Sequence, residues 1–403
     1  MRRKNDYKYC SVVGQKSRVK SLDFSEMVSE VKWPLLMFIC GIIENYCRAE
    51  LKMIQVTMRH GDRYPSGKQY ALMFYPNDPY FNNTSASDGP MQLTPKGKIK
   101  AYHMGQFLHD RYKELIGTID NADSVYFRAF RAERAVSTAR LVAKGLFQIN
   151  WNSSFESVPL SIDSKPKDED YLYYTKKICE NYYTDRINSD AQVEHVLSKL
   201  TDIQKFYDYL SIHTGINYTK VFQSYLLYNH LVSESSLNLQ LEPWTDSIFP
   251  NGKLLDLSAV EYIIQTHTSR MKRLLGGVWI KTFLNHVDDS LSGESTRKKG
   301  YFYVYSEHHV AAILNALDIY KPHVPSYLSC VIFELHEIDN NFYVKVIHKN
   351  EDKITETQIT GCEASLCLLD TFKFVLKDVI LEDFEKDCGT HGSFPDPVLP
   401  VVK

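Results

Sequence analysis

The chain has 403 residues, 44% apolar and 24% charged. That balance suits two or three globular domains, or one large domain with an insertion, and excludes a disordered chain. Forty-seven basic against forty-nine acidic residues leave a net charge of −2, so no bulk field draws it to nucleic acid or an anionic membrane.

Residues 1–26 are polar and basic, without helical periodicity. An apolar run from Trp33 to Ile43 follows, preceded by Lys32. It falls short of the roughly eighteen residues a spanning helix needs and fits the apolar segment of a secretion signal, with cleavage expected near Ala49. Signals ordinarily begin at the chain start, so Met27 is the expected functional start. Residues 1–49 are therefore assigned to a leader, an over-extended N-terminus plus signal peptide.

Three later segments share one pattern: a β-like run, then ionisable residues, then a helix. The first runs from Leu51 to Met58 and ends in RHGDRYP. Thr94-Pro95, an N-cap followed by proline at the first helical position, announces a helix burying Met104, Phe107, Leu108, Tyr112 and Leu115. The second segment, Ser124 to Phe127, ends at Arg128. Its helix carries the stripe Ala135, Val136, Ala139, Val142, Ala143 and Leu146. The third, Tyr301 to Tyr305, ends in SEHH before a helix through Val310, Ile313, Leu314 and Leu317. Val331 to Leu335 and Phe342 to Ile347, joined across EIDNN, read as a hairpin near the sheet edge.

Alternating strands and helices predict an α/β fold, a mostly parallel sheet with helices on both faces, whose ligands sit beyond the carboxyl ends of the strands. All three polar clusters fall there. Residues 165–260, rich in Lys, Tyr, Leu and Asn with helical spacing, read as an inserted helical cap. The core is then split into 50–164 and 261–390, with a disordered tail over 391–403.

Removing the leader leaves Cys179, Cys330, Cys362, Cys367 and Cys388, an odd number. Cys362 and Cys367 close the short loop GCEASLC, and no second pair accompanies them to make a zinc site. Glycosylation sequons stand at Asn82, Asn83, Asn152 and Asn217. With the leader, these features predict a secreted glycoprotein, lysosomal delivery being the alternative. The proline-rich tail SFPDPVLPVVK carries no membrane anchor.

RHGDRYP, residues 59–65, has the form RHGxRxP. Two arginines flanking a histidine before a helix suit a phosphate dianion, held by guanidinium forks and backbone N–H groups. A neutral imidazole can attack phosphorus without the repulsion a carboxylate meets. The less specific reading is a surface cluster of ion pairs.

On these motifs the chain resembles the histidine acid phosphatases of animals (the prostatic, lysosomal and insect venom group) from about Leu51 to Cys388. The family pattern RSTxxxRTxxSA is similar to FRAFRAERAVSTA, in which Arg128 and Arg134 hold their places and Ala129-Phe130 replaces Ser-Thr. LTPKGKIKAYHMGQFLHDRY, YSEHHVAAILNALDIYKPHVPSYLSCVIFELHE and GCEASLC follow the family too, nearest to the insect venom branch. The resemblance implies a histidine phosphatase-like fold and His60 as the phosphate-accepting nucleophile. It implies Arg59, Arg63, Arg128 and His308 as phosphate ligands. It also implies disulfides Cys362–Cys367 and Cys179–Cys388, with Cys330 left as a thiol.

One departure concerns the proton donor. The family has His-Asp where this chain has His308-His309, so His309, as imidazolium, becomes the expected general acid in place of Asp. The expected function is a secreted acid phosphatase using a phosphohistidine intermediate, without cofactor or metal. Its expected substrates are small phosphate monoesters or phosphoproteins, and a homodimer is compatible with the sequence. The alternative is a catalytically impaired relative that binds phosphate ligands or serves in recognition. A mutase or phytase-like specificity fits the same motif.

Overall fold

The computed structural model describes residues 49–66, 75–80, 89–154, 160–166, 169–292 and 298–392. The leader through residue 48, and Asn82 and Asn83, lie outside the described residues. Asn152 and Asn217 are described and exposed.

In chain order the strands are β1 (Glu50–Arg59), β2 (Val125–Ala129), β3 (Ile162–Asp163), β4 (Gly300–Tyr305), β5 (Cys330–Ile338), β6 (Asn341–Asn350), β7 (Lys353–Thr357) and β8 (Leu366–Leu368). They form one mixed sheet in the order β3-β2-β4-β1-β5-β6-β7, with β8 also on β6. The four strands β3, β2, β4 and β1 pair in parallel, and β5 joins β1 antiparallel. The expected hairpin is β5-β6.

Met53, Ile54, Val56 and Met58 of β1 are all buried, the near-continuous burial expected of a strand covered on both faces. Each such side chain contributes about 1.5–3 kcal/mol through the water it escapes. Arg59 of β1 pairs with Tyr305 of β4, and Ala129 of β2 pairs with Val304. The carboxyl ends of β1, β4 and β2 are therefore level and adjacent.

The principal helices are α1 (Pro95–Ile116), α2 (Glu133–Leu146), α3 (Tyr171–Ile178), α4 (Glu180–Leu197), α5 (Thr201–Thr214), α6 (Val221–Ser236), α7 (Lys253–Ile264), α8 (Val278–Leu291) and α9 (Glu307–Ala316). Thr94 caps α1 through its hydroxyl, which accepts from Gly97 N, as the Thr-Pro pair predicts. The helices α1 and α2 touch backbone to backbone, since a Cβ on Gly105 would fall 2.1 Å from Val142 O. Between α5, α6 and α7 lies a second hydrophobic cluster, including Phe206, Leu210, Leu231 and Leu254, separate from the core around the sheet. Two disulfides, Cys179–Cys388 and Cys362–Cys367, are formed and Cys330 is a buried thiol. His391 bridges to the Cys179 backbone. Among the described residues, no helix is long and apolar enough to cross a membrane.

Candidate active site

The end of β1 carries His60 into a cavity of about 150 Å³ whose walls include His60, Arg63, Arg134, Asn229, His230, Glu307 and His308. His60 is buried. Its Nδ1 lies 2.9 Å from Gly61 O. A carbonyl only accepts, so Nδ1 bears the proton and Nε2 keeps its lone pair. Independently, Arg134 Nε donates to that Nε2 across 3.3 Å. Two contacts thus fix one tautomer. Burial and then the charges of Arg134 and Arg59 hold the His60 pKa well below its ordinary 6.5, which favours the neutral ring.

The turn after His60 is clamped from below. Gly61 N donates to Thr138 Oγ1 at 3.1 Å. The first turn of α1 presses so closely that a Cβ on Gly97 would sit 2.1 Å from Asp62 O. Lys100 Nζ bonds Asp62 Oδ1 at 2.8 Å. Arg63 lines the cavity with Nη1 donating to Tyr64 O.

Arg59, expected from the sequence as a phosphate ligand, does not line this cavity; it lies behind two residues that do. Its Nη1 donates to Pro325 O at 2.6 Å, Nη2 to Asn229 Oδ1 at 3.0 Å, and Nε lies 3.2 Å from Glu307 Oε2. Glu307 also accepts from Tyr225 Oη at 2.6 Å. Burial alone would raise the Glu307 pKa, but Arg59 and the tyrosine hydroxyl bring it down to about 2. Glu307 is therefore a fixed carboxylate.

Arg128 is not at the cavity, a correction to the sequence expectation. It lies within β2, opposite Tyr303, and its Nη2 pairs at 2.7 Å with Asp170 just before α3. Asp170 is fully buried, so that guanidinium is committed to neutralising it. The arginine beside His60 is Arg134, in the first turn of α2. The sequence held the signal: both arginines stood in FRAFRAERAVSTA, and only the second opens a helix, where anions bind.

His308 lines the cavity from the first turn of α9. Its neighbour His309 does not. His309 is 0% exposed and sits at the third helical position, where its Nδ1 accepts from Ser306 N at 3.3 Å in a reciprocal cap. Its ring lies among Tyr173, Tyr305 and Trp279 at 5.2–5.9 Å. Sequence reasoning missed Glu307, although it was visible in SEHH, and missed Asn229 and His230, which belong to a helix remote in sequence.

A family model described as the histidine phosphatase superfamily (branch 2) matches residues 50–349. The venom acid phosphatase Acph-1 of Apis mellifera is 33% identical over 363 residues, covering 88% of this chain and 90% of the relative. Human prostatic acid phosphatase is 27% identical over 358 residues, covering 85% of this chain and 89% of the relative. Among solved structures, Hafnia alvei phytase in complex with tartrate superposes with a TM-score of 0.63 at 16% identity, covering 82% of this chain and 97% of the other. That last likeness concerns the fold alone.

Proposed function

The chain belongs to branch 2 of the histidine phosphatase superfamily, and we propose that it hydrolyses phosphate monoesters in acid with His60 as nucleophile. The observation that carries this is the tautomer of His60: Nδ1–H on Gly61 O, Nε2 turned to Arg134 at the cavity. A lone pair held beside a guanidinium is where a phosphoryl group, bound to that guanidinium, would be attacked in line. Arg63, Arg134 and His308 hold the non-bridging oxygens, and their charges stabilise what develops on them in the transition state. Arg59 acts from behind the wall, fixing Asn229 and Glu307 and depressing the His60 pKa by its charge.

A neutral imidazole must be available for attack. Activity on the acid side is lost only as pH falls through the depressed His60 pKa, so the burial of His60 suits the acid range. Venom, prostatic and lysosomal acid phosphatases are among the relatives. Secretion itself is supported by the two disulfides and by the exposed sequons Asn152 and Asn217.

The test is to quench the enzyme during turnover in alkaline denaturant, where phosphohistidine survives, and to map the label. Phosphate on His60, lost on acidification and absent from inactive His60→Ala, is expected. Label on another residue, or turnover by His60→Ala, refutes the assignment.

A further inference from the structure

The arginines of the two motifs are held in different ways. Arg59 is paired with the Glu307 carboxylate, and Arg128 with that of Asp170. Each pairing spends N–H donors and cancels charge that a phosphate would otherwise use. Arg134 is held otherwise. Its Nε reaches His60 Nε2 at 3.3 Å, and its guanidinium carbon lies over the Phe130 ring, 5.0 Å from the centre. Among the described residues, no carboxylate stands within ion-pair distance of Arg134, and neither of its Nη atoms takes part in a hydrogen bond.

The chain places Phe130 for this contact. Phe130 follows β2 directly, and its N donates to Val304 O of β4 at 3.3 Å, continuing the strand by one residue. Ala132 N then donates to Phe130 O at 2.7 Å. That tight turn starts α2 at Glu133 and brings Arg134 over the ring. The Phe130 side chain is buried, and Tyr173 of α3 stacks on it at 4.2 Å, only 4° from parallel. Tyr173 itself lines the cavity, and the His60 ring lies 6.3 Å from Phe130. Phe130 is also one of the two positions at which FRAFRAERAVSTA departs from the family pattern RSTxxxRTxxSA. A threonine has no π face, so the contact comes with the substitution.

We propose that Phe130 is a positioning residue of this phosphatase, an aromatic clamp that fixes the Arg134 guanidinium for phosphate while leaving its Nη donors and its charge unspent. The proposal rests on the reading of this cavity as the phosphate site. A ring face attracts a cation through its quadrupole and takes no N–H in exchange. Burial disfavours the Arg134 charge, and the ring face offsets part of that cost. The guanidinium is thus in place before the ligand arrives, so binding spends less side-chain entropy on ordering it. Contacts of this kind correspond to about 2- to 30-fold in affinity, from exposed to desolvated sites.

The experiment replaces Phe130 by phenylalanines bearing one, two or three ring fluorines, which drain negative charge from the ring face while nearly keeping its shape. Inhibition of nitrophenyl phosphate turnover by inorganic phosphate, melting temperature and phospho-His60 trapping are read on each protein. The phosphate Ki should rise with each added fluorine, to about 2- to 30-fold above wild type, and kcat/KM should fall alongside. Melting temperature should hold, because an electron-poor ring stacks on Tyr173 at least as well. In an Arg134→Ala background the same fluorines should leave kcat/KM unchanged. Phe130→Leu, which keeps apolar bulk without a π face, should raise the Ki as far as the trifluoro ring does. A Ki that is flat across the fluorine series, or a fall in kcat/KM that persists in Arg134→Ala, overturns the clamp. So does a loss in Phe130→Leu that the fluorinated proteins do not share, since bulk alone would then account for it. Wild type with neither phosphate inhibition nor label on His60 refutes the underlying reading of the cavity instead.

Discussion

Replacing Arg134 by alanine separates the two arginines of one motif. Its Nε is 3.3 Å from His60 Nε2, the place a phosphoryl oxygen must approach. Losing one preorganised donor of this kind costs about 10²–10³ in kcat, roughly 2.7–4 kcal/mol of transition-state stabilisation. A second effect has a definite sign. Arg134 is the leading charge depressing the His60 pKa, so Arg134→Ala raises that pKa. The acid limb of kcat/KM then moves to higher pH, because His60 takes up its proton sooner. Inorganic phosphate should inhibit wild type and barely inhibit the variant. Arg128→Met should behave in the opposite way. Phosphate inhibition and the acid limb stay as in wild type, while stability falls by about 3–5 kcal/mol as Asp170 loses its buried partner. The loss shrinks in acid, where Asp170, its pKa already raised by burial, takes up a proton. The double change Arg128→Met with Asp170→Leu should recover most of the stability. Phosphate titrations with nitrophenyl phosphate and melting curves at two pH values decide it. Weakened phosphate binding in Arg128→Met with normal binding in Arg134→Ala refutes the assignment.

Stability should fall on strong acidification for a nameable reason. Both Glu307 and Glu334 have folded pKa values of about 2 against an ordinary 4.5; burial works against this, and it is overcome by Arg59 for Glu307 and by His336, Arg111 and Tyr112 for Glu334. A depressed carboxylate contributes its full stability above the unfolded value and loses it as pH falls from about 4.5 to about 2. Melting temperature should be held at pH 5 and drop steeply below 4, with Glu334→Gln flattening that slope; a flat profile down to pH 2.5 refutes it. Burial pushes the Cys330 thiol up to about 12, so alkylation mapped by mass spectrometry should spare Cys330 in the native protein and modify it once unfolded. Labelling of Cys330 at native rates equal to the unfolded chain refutes that.

Much of this was written locally. RHGDRYP at the end of a β-run pointed to the proposed phosphate site because the chemistry needs its residues close together along the chain. The Thr94-Pro95 cap, the stripe of α2 and the hairpin β5-β6 were readable because periodicity and capping are short-range. What the sequence could not distinguish was direction. Arg128 and Arg134 share a motif, yet strand alternation turns the first to Asp170, while the helix start turns the second to His60. His308 and His309 are neighbours, yet the roughly 100° between successive helix positions sends one ring to the cavity and the other among Tyr173, Tyr305 and Trp279. His230, 170 residues from His60, reaches the cavity only because the helices of residues 171–264 fold over the ends of the strands. Its Nε2 meets Asp78, which reaches it from another segment. A side chain's bearing and its distant charges are properties of packing, so the proposed nucleophile was legible in the chain and its electrostatic surroundings were decided by the tertiary fold.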